Sequence, residues 1–110
     1  MKLTNLQFRN WPCHVEFCEY ANGRTAIRLN SNMEGPIATC TVNLSDNAPC
    51  GPDEVYVKDY SENEGMANWL INHGFIEAPV LGSERSGYVT INRYKLTDSA
   101  IAVRNAKVTP

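Results

Sequence analysis

Apolar positions along the chain recur with two periods, and the change from one to the other marks the elements. Met66, Ala67, Leu70 and Ile71 fall at helical spacing and give one apolar stripe, so Asp59 to Phe75 is expected to hold the only substantial helix. Ser61 and Glu64 form an S-x-x-E capping box, which places the start at Ser61. Gly74 sits where a left-handed terminal residue is wanted and places the stop. Asp59, Glu62 and Glu64 crowd the positive end of the helix dipole, and His73 lies near its negative end.

Elsewhere the period is two. In HVEFCEYANGRTAIRLN, His14 to Asn30, a three-residue Ala21-Asn22-Gly23 loop with Gly23 left-handed pairs Phe17 with Ile27 and Val15 with Leu29. A two-residue Asn22-Gly23 turn would set Phe17 against Arg28, so the longer loop is preferred. It also puts Glu16 opposite Arg28 and Tyr20 opposite Arg24 on the outer face. Ala38, Cys40, Val42 and Leu44 alternate with Ile37, Thr39, Thr41 and Asn43 as in a half-buried strand, which makes Cys40 a core residue. Glu54 to Tyr60 and Tyr88 to Leu96 read as further strands, and Leu3 to Phe8 as a short strand or arm ended by Trp11-Pro12. Gly74 to Gly87 reads as a connection anchored by Phe75, Ile76, Val80 and Leu81, and from Ser99 the tail loses periodicity and frays at its last three residues. The expectation is a single α+β domain over residues 1–110: one antiparallel sheet of four to five strands with one main helix on one face.

Composition changes little in this picture, because 43% hydrophobic and 20% charged residues with a net charge of −2 are ordinary globular values. The distribution of charge is more informative. Asp46, Asp53, Glu54, Asp59, Glu62 and Glu64 share one stretch whose only base is Lys58, whereas Arg85, Arg93, Lys95, Arg104 and Lys107 follow Glu84 with Asp98 as the one acid. An acidic side is the expectation. The start, MKLTNLQFRNW, has no apolar run of signal-peptide length and no segment approaches the ~20 residues of a membrane span, so a cytoplasmic protein is expected.

Candidate chemistry is sparse. Cys13, Cys18, Cys40 and Cys50 match no zinc-ligand spacing and no C-x-x-C motif, so reduced packing cysteines are favoured over a zinc site using His14 or His73 and over disulfides. No nucleophile motif accompanies either histidine, the glycines follow no phosphate-binding spacing, and Glu62 and Glu64 are accounted for by helix dipole and capping box. No catalytic, cofactor or metal residue is therefore assigned. Tyr56, Tyr60, Tyr88 and Tyr94 near Arg93 and Lys95 echo an RNA-stacking sheet without its consensus, and the acidic stretch disfavours direct nucleic-acid binding. Trp69, one step off the stripe, either closes the core edge or shows its ring beside the acids. In the second case it would suit a basic partner.

Three stretches, YANGRTAIRL (Tyr20 to Leu29), IATCTVNL (Ile37 to Leu44) and EVYVKDYSENEGM (Glu54 to Met66), resemble a family of short proteins carried by phages, plasmids and integrative elements. The resemblance covers about three-quarters of the chain and is most specific at KDYSENEGM; the segment after Gly82 departs from it. By analogy with other small mobile-element proteins, it implies an inhibitor of a host defence system in the bacterial cytoplasm, anti-CRISPR-like, with no enzymatic activity and no cofactor. Such a protein would occlude a nucleic-acid-binding surface of a defence effector complex, and the contact residues expected here are Asp46, Asp53, Glu54, Asp59, Tyr60, Glu62 and Trp69. A small regulatory or nucleic-acid-binding accessory module of the element is the alternative.

Overall fold

In the computed structural model, which describes residues 1–31 and 33–107, a four-stranded antiparallel meander is followed by a three-stranded antiparallel sheet and two helices. The meander runs β1 (Leu6–Phe8), β2 (Trp11–Glu19), β3 (Thr25–Ser31) and β4 (Gly35–Thr39) in spatial order. The second sheet places β7 (Val89–Leu96) between β5 (Glu54–Tyr56) and β6 (Ile76–Ser86). Helix α1 (Met66–Asn72) lies between β5 and β6 in the chain, and α2 (Asp98–Lys107) follows β7.

The β2–β3 register is the one that burial demanded, with Phe17 opposite Ile27, Val15 opposite Leu29 and Glu16 opposite Arg28. Gly23 adopts φ +87° and its N–H reaches the Tyr20 carbonyl, closing the three-residue loop. Gly23→Val is expected to lower stability by about 1 kcal/mol or more, since a β-branched residue is strained at that φ. A thermal melt unchanged by the substitution would refute this. The Arg24 side chain does not remain beside Tyr20 on the outer face. Its guanidinium donates to the carbonyls of Leu44, Ser45, Asp46 and Ala48, which fixes the loop before β5.

The expected single sheet is divided, and the strand from Ile37 to Leu44 shows why. Its first half pairs with β3 as β4; then Cys40 donates to Ile27, accepts from Lys58 N–H, and Val42 N–H bonds Tyr56. Residues 40–42 thus join the two sheets, around a Thr41–Val57 bridge. Cys40 is fully buried, as its place in the alternation required.

Helix α1 stops as expected but does not start at Ser61. Gly74 (φ +78°) donates to Ile71 and Phe75 N–H to Leu70, a Schellman closure. At the other end, Ser61–Asn63 form one turn of 3₁₀ helix, Ser61 holds φ +54° without a capping bond, and Gly65 at φ +93° resets the chain before α1. The cap is Asp59, whose carboxylate accepts from Gly65 N–H at 2.6 Å and Ala67 N–H at 3.2 Å. The buried Asn63 donates to the Thr39 carbonyl at 2.7 Å and pins the turn against β4, so the geometry that a capping box needs never forms.

Two further expectations are corrected after Gly74. The presumed connection is a long strand, β6, and of its supposed anchors Phe75 and Ile76 are buried whereas Val80 and Leu81 are 43% exposed. Between Glu77 and Gly82 the ladder with β7 breaks, so residues 78–81 bulge out of register at a sheet edge, where Pro79 has no N–H to lose. The tail from Ser99 is α2. Thr97 caps it by accepting from Ala100 N–H, while the Thr97 hydroxyl donates to Gly74, tying α2 to the end of α1. The expected fraying at residues 108–110 lies outside the described residues. One core draws on all these elements, through Val15, Ile27, Leu29, Val55, Leu70, Phe75, Leu96 and Ala100 among others.

Candidate functional site

The acids of the 46–64 stretch lie close in sequence, but most are engaged within the protein. Arg104 Nη2 donates to Asp53 at 2.7 Å, and Arg93 Nε lies 3.2 Å from Glu54, a charge contact without hydrogen-bond alignment. Glu54 also accepts from Gly51 N–H, and Asp46 from the Asn22 side chain at 2.8 Å. Lys58 donates to Glu62 at 2.7 Å; this bond holds the Glu62 carboxyl below its usual range and raises the Lys58 ammonium. Lys58 also lies over the half-buried Tyr60 ring. Two basic residues of the C-terminal third, Arg93 and Arg104, thus fold onto the acidic stretch, while Lys95 pairs with Glu77 and Asp98. The expected contiguous acidic side is broken up by Arg93 and Arg104, and Arg24 binds carbonyls of the loop that carries Asp46.

Asp59 has a structural role as the α1 cap. Asp59→Ala is expected to cost about 1–2 kcal/mol in chemical denaturation, and Ser61→Ala less than about 0.5 kcal/mol. The reverse order would restore the capping box as the stabilising device. Trp69 closes the core edge: its Nε1 donates to the Gln7 carbonyl at 2.8 Å, and its ring meets Phe8 edge-on at 5.8 Å and lies parallel to Phe75. The tyrosines make no stacking face, because Tyr56 and Tyr94 are buried while Tyr88 stands fully exposed in the β6–β7 turn.

All four cysteines are free thiols, and burial pushes Cys13, Cys40 and Cys50 up, which keeps them protonated near neutral pH. Among the described residues no group of three or more His, Cys, Asp or Glu side chains is placed to hold a metal ion. No helix among them is long and apolar enough to cross a membrane.

A concave surface lies at the other end of the meander, at residues outside the expected contact set. Trp11 shares its strand parity with the buried Cys13, Val15 and Phe17, yet it stands past the end of the core and is 46% exposed. The β1–β2 turn, with Arg9 at φ +56°, sets Trp11 opposite Phe8 and Pro12 opposite Gln7. Across from it, the Ser31 hydroxyl accepts from the N–H groups of Met33 and Glu34, both at 3.2 Å. Met33 is 94% exposed. Between them lies a groove of about 420 Å³ lined by Leu6, Trp11, Pro12 and Met33 with Asn5 and Asn10. Trp11 and Glu34 also wall a second groove of about 190 Å³ against Pro36 and Ile37. Trp11-Pro12 is therefore not the strand break expected from the sequence: both residues belong to β2 and pair with Phe8 and Gln7, and the signal the sequence carried is a tryptophan in step with Cys13, Val15 and Phe17.

These features define a small α+β protein of antiparallel sheets with a tryptophan-walled surface groove. Comparison with family models, curated proteins and solved structures gives no match to the chain.

Proposed function

We propose that the protein is a non-enzymatic binding protein of a mobile element, which inhibits a host defence complex of the anti-CRISPR-sensitive kind by covering a nucleic-acid-handling surface in the bacterial cytoplasm. The resemblance of the KDYSENEGM region supplies the context, and the observation that carries the binding role is the exposed Trp11 groove. Tryptophan and methionine are enriched where proteins bind one another, and an aromatic beside apolar walls is the usual form of an energetic hot spot. The groove takes over the anchoring role expected of Trp69, whose indole is committed to Gln7 and the core. Exposed carboxylates such as Asp46 and Glu62 remain as steering charges, weaker than a contiguous acidic face would be because of their intramolecular partners.

The test is a phage-plating assay in a bacterial host with active defence, with and without the gene, beside a pull-down of the tagged protein. Plating is expected to rise when the gene is present, with defence components enriched on the tag, and Trp11→Ala is expected to remove both effects while the thermal melt is retained. Unchanged plating, or recovery of element-encoded proteins or nucleic acid alone, would overturn the inhibitor reading in favour of an accessory module.

A further inference from the structure

We infer that the paired grooves beside Trp11 accept a basic, extended segment of a partner protein, with a lysine or arginine side chain laid over the Trp11 ring and its cation held by Glu34. This rests on the reading of the protein as a binding protein and adds the chemistry of what it binds. Trp11 and Glu34 are the residues common to both grooves, so an aromatic and an acidic residue line the place where the two adjoin. On one side the walls are Leu6, Pro12 and Met33, and on the other Pro36 and Ile37. Apolar subsites flanking a central anionic and aromatic point suit an extended chain that alternates apolar and cationic side chains.

Charge complementarity selects the sign of the partner. Asp53, Glu54 and Glu62 are each paired with a base of the same chain, but among the described residues the Glu34 carboxylate takes part in no ion pair. No lysine or arginine among them lines either groove. The Glu34 backbone N–H is held by the Ser31 hydroxyl at 3.2 Å. A cation entering here gains the Trp11 quadrupole and the Glu34 charge together, and an anion meets only repulsion. The second groove lies at the start of β4, the terminal strand of its four-stranded sheet.

The test uses the full chain, labelled with nitrogen-15, and two synthetic peptides, Ala-Pro-Arg-Leu-Pro-Arg and the same sequence with glutamate for arginine. The two tryptophans supply a reporter and an internal reference, because the Trp69 indole is bonded to Gln7 and the Trp11 indole faces the groove. Titration with the basic peptide is expected to shift the Trp11 indole signal saturably and leave that of Trp69 in place, and the acidic peptide is expected to do neither. Trp11→Ala should weaken binding about tenfold, the scale of a lost cation–π contact. Should that change disturb the hairpin, Glu34→Lys keeps the test sharp, since it should abolish binding of the basic peptide and permit the acidic one. Equal binding of both peptides, an unmoved Trp11 signal, or indifference to Glu34→Lys would overturn the assignment. A Trp11 shift that depends on protein concentration without peptide, with a doubled mass in sedimentation, would overturn it in favour of a second copy as occupant. Failure of the peptide titration with defence inhibition intact refutes the groove chemistry alone. Peptide binding without any effect on plating refutes the inhibitor reading alone.

Discussion

Phe75→Ala is expected to lower the stability of the protein by about 3–5 kcal/mol, the range for a buried aromatic replaced by alanine. Phe75 is fully buried between Phe17 and Trp69, with both ring centroids at 6.2 Å, and it follows directly on the Schellman closure of α1. Its main chain serves both neighbours, donating to Leu70 and accepting from Thr97, so the void would open where α1, β6 and the cap of α2 converge. Against a total of about 5–15 kcal/mol such a loss brings the fold close to its limit. The thermal midpoint should fall by more than about 10 °C, and the near-ultraviolet signal of Trp69 should change with it. Val80→Ala in the exposed bulge is the control and should shift the midpoint by no more than about 2 °C. A loss below about 1.5 kcal/mol for Phe75→Ala would mean that the three elements do not share this contact.

Removal of Arg104 has the second largest expected effect, because one guanidinium joins three separate parts of the chain. It donates to Pro52 O at 2.8 Å, to Thr25 Oγ1 at 3.3 Å and to Asp53 at 2.7 Å, and its side chain is only 15% exposed. Arg104→Ala is expected to cost about 2 kcal/mol, from bonds donated by a charged group and from the packing of its alkyl stem. Arg104→Lys should recover less than half, since a single ammonium does not span the three acceptors. Asp53 is 42% exposed, so water and salt screen its share; a double-mutant cycle with Asp53→Ala should give a coupling below about 1 kcal/mol that shrinks in high salt. A cost under about 0.5 kcal/mol for Arg104→Ala would contradict the view that Arg104 fastens α2 to the Pro52–Asp53 segment.

Local chemistry was sufficient for the β2–β3 hairpin and for the end of α1. A glycine in a left-handed turn and an apolar stripe with period two or 3.6 act over a few residues, and the tertiary fold left those preferences in place at Gly23, Gly74 and the Met66–Leu70 stripe. The start of α1 was misread because two local caps compete there. Ser61 and Glu64 fit by spacing, but Asp59 wins because Asn63 is drawn to Thr39, 24 residues away, and that pull sets the backbone of the turn. β6 was misread because an edge strand with a bulge and a proline has no clean alternation, and α2 because its stripe mixes Ala100 and Val103 with Arg104.

The amino-acid order by itself determined that this is an α+β protein of antiparallel strands, which strands carry the core, and how one hairpin is registered. Only the tertiary structure decided where the charges go. Arg93 and Arg104 meet Glu54 and Asp53 across roughly 40 to 50 residues, a pairing that depends on sheet order and helix docking rather than on neighbours in the chain. Exposure is decided in the same way. Trp11 and Trp69 both carry a large apolar ring, but Trp69 packs on the core and Trp11 runs past it, because burial depends on which distant element comes to lie above each ring.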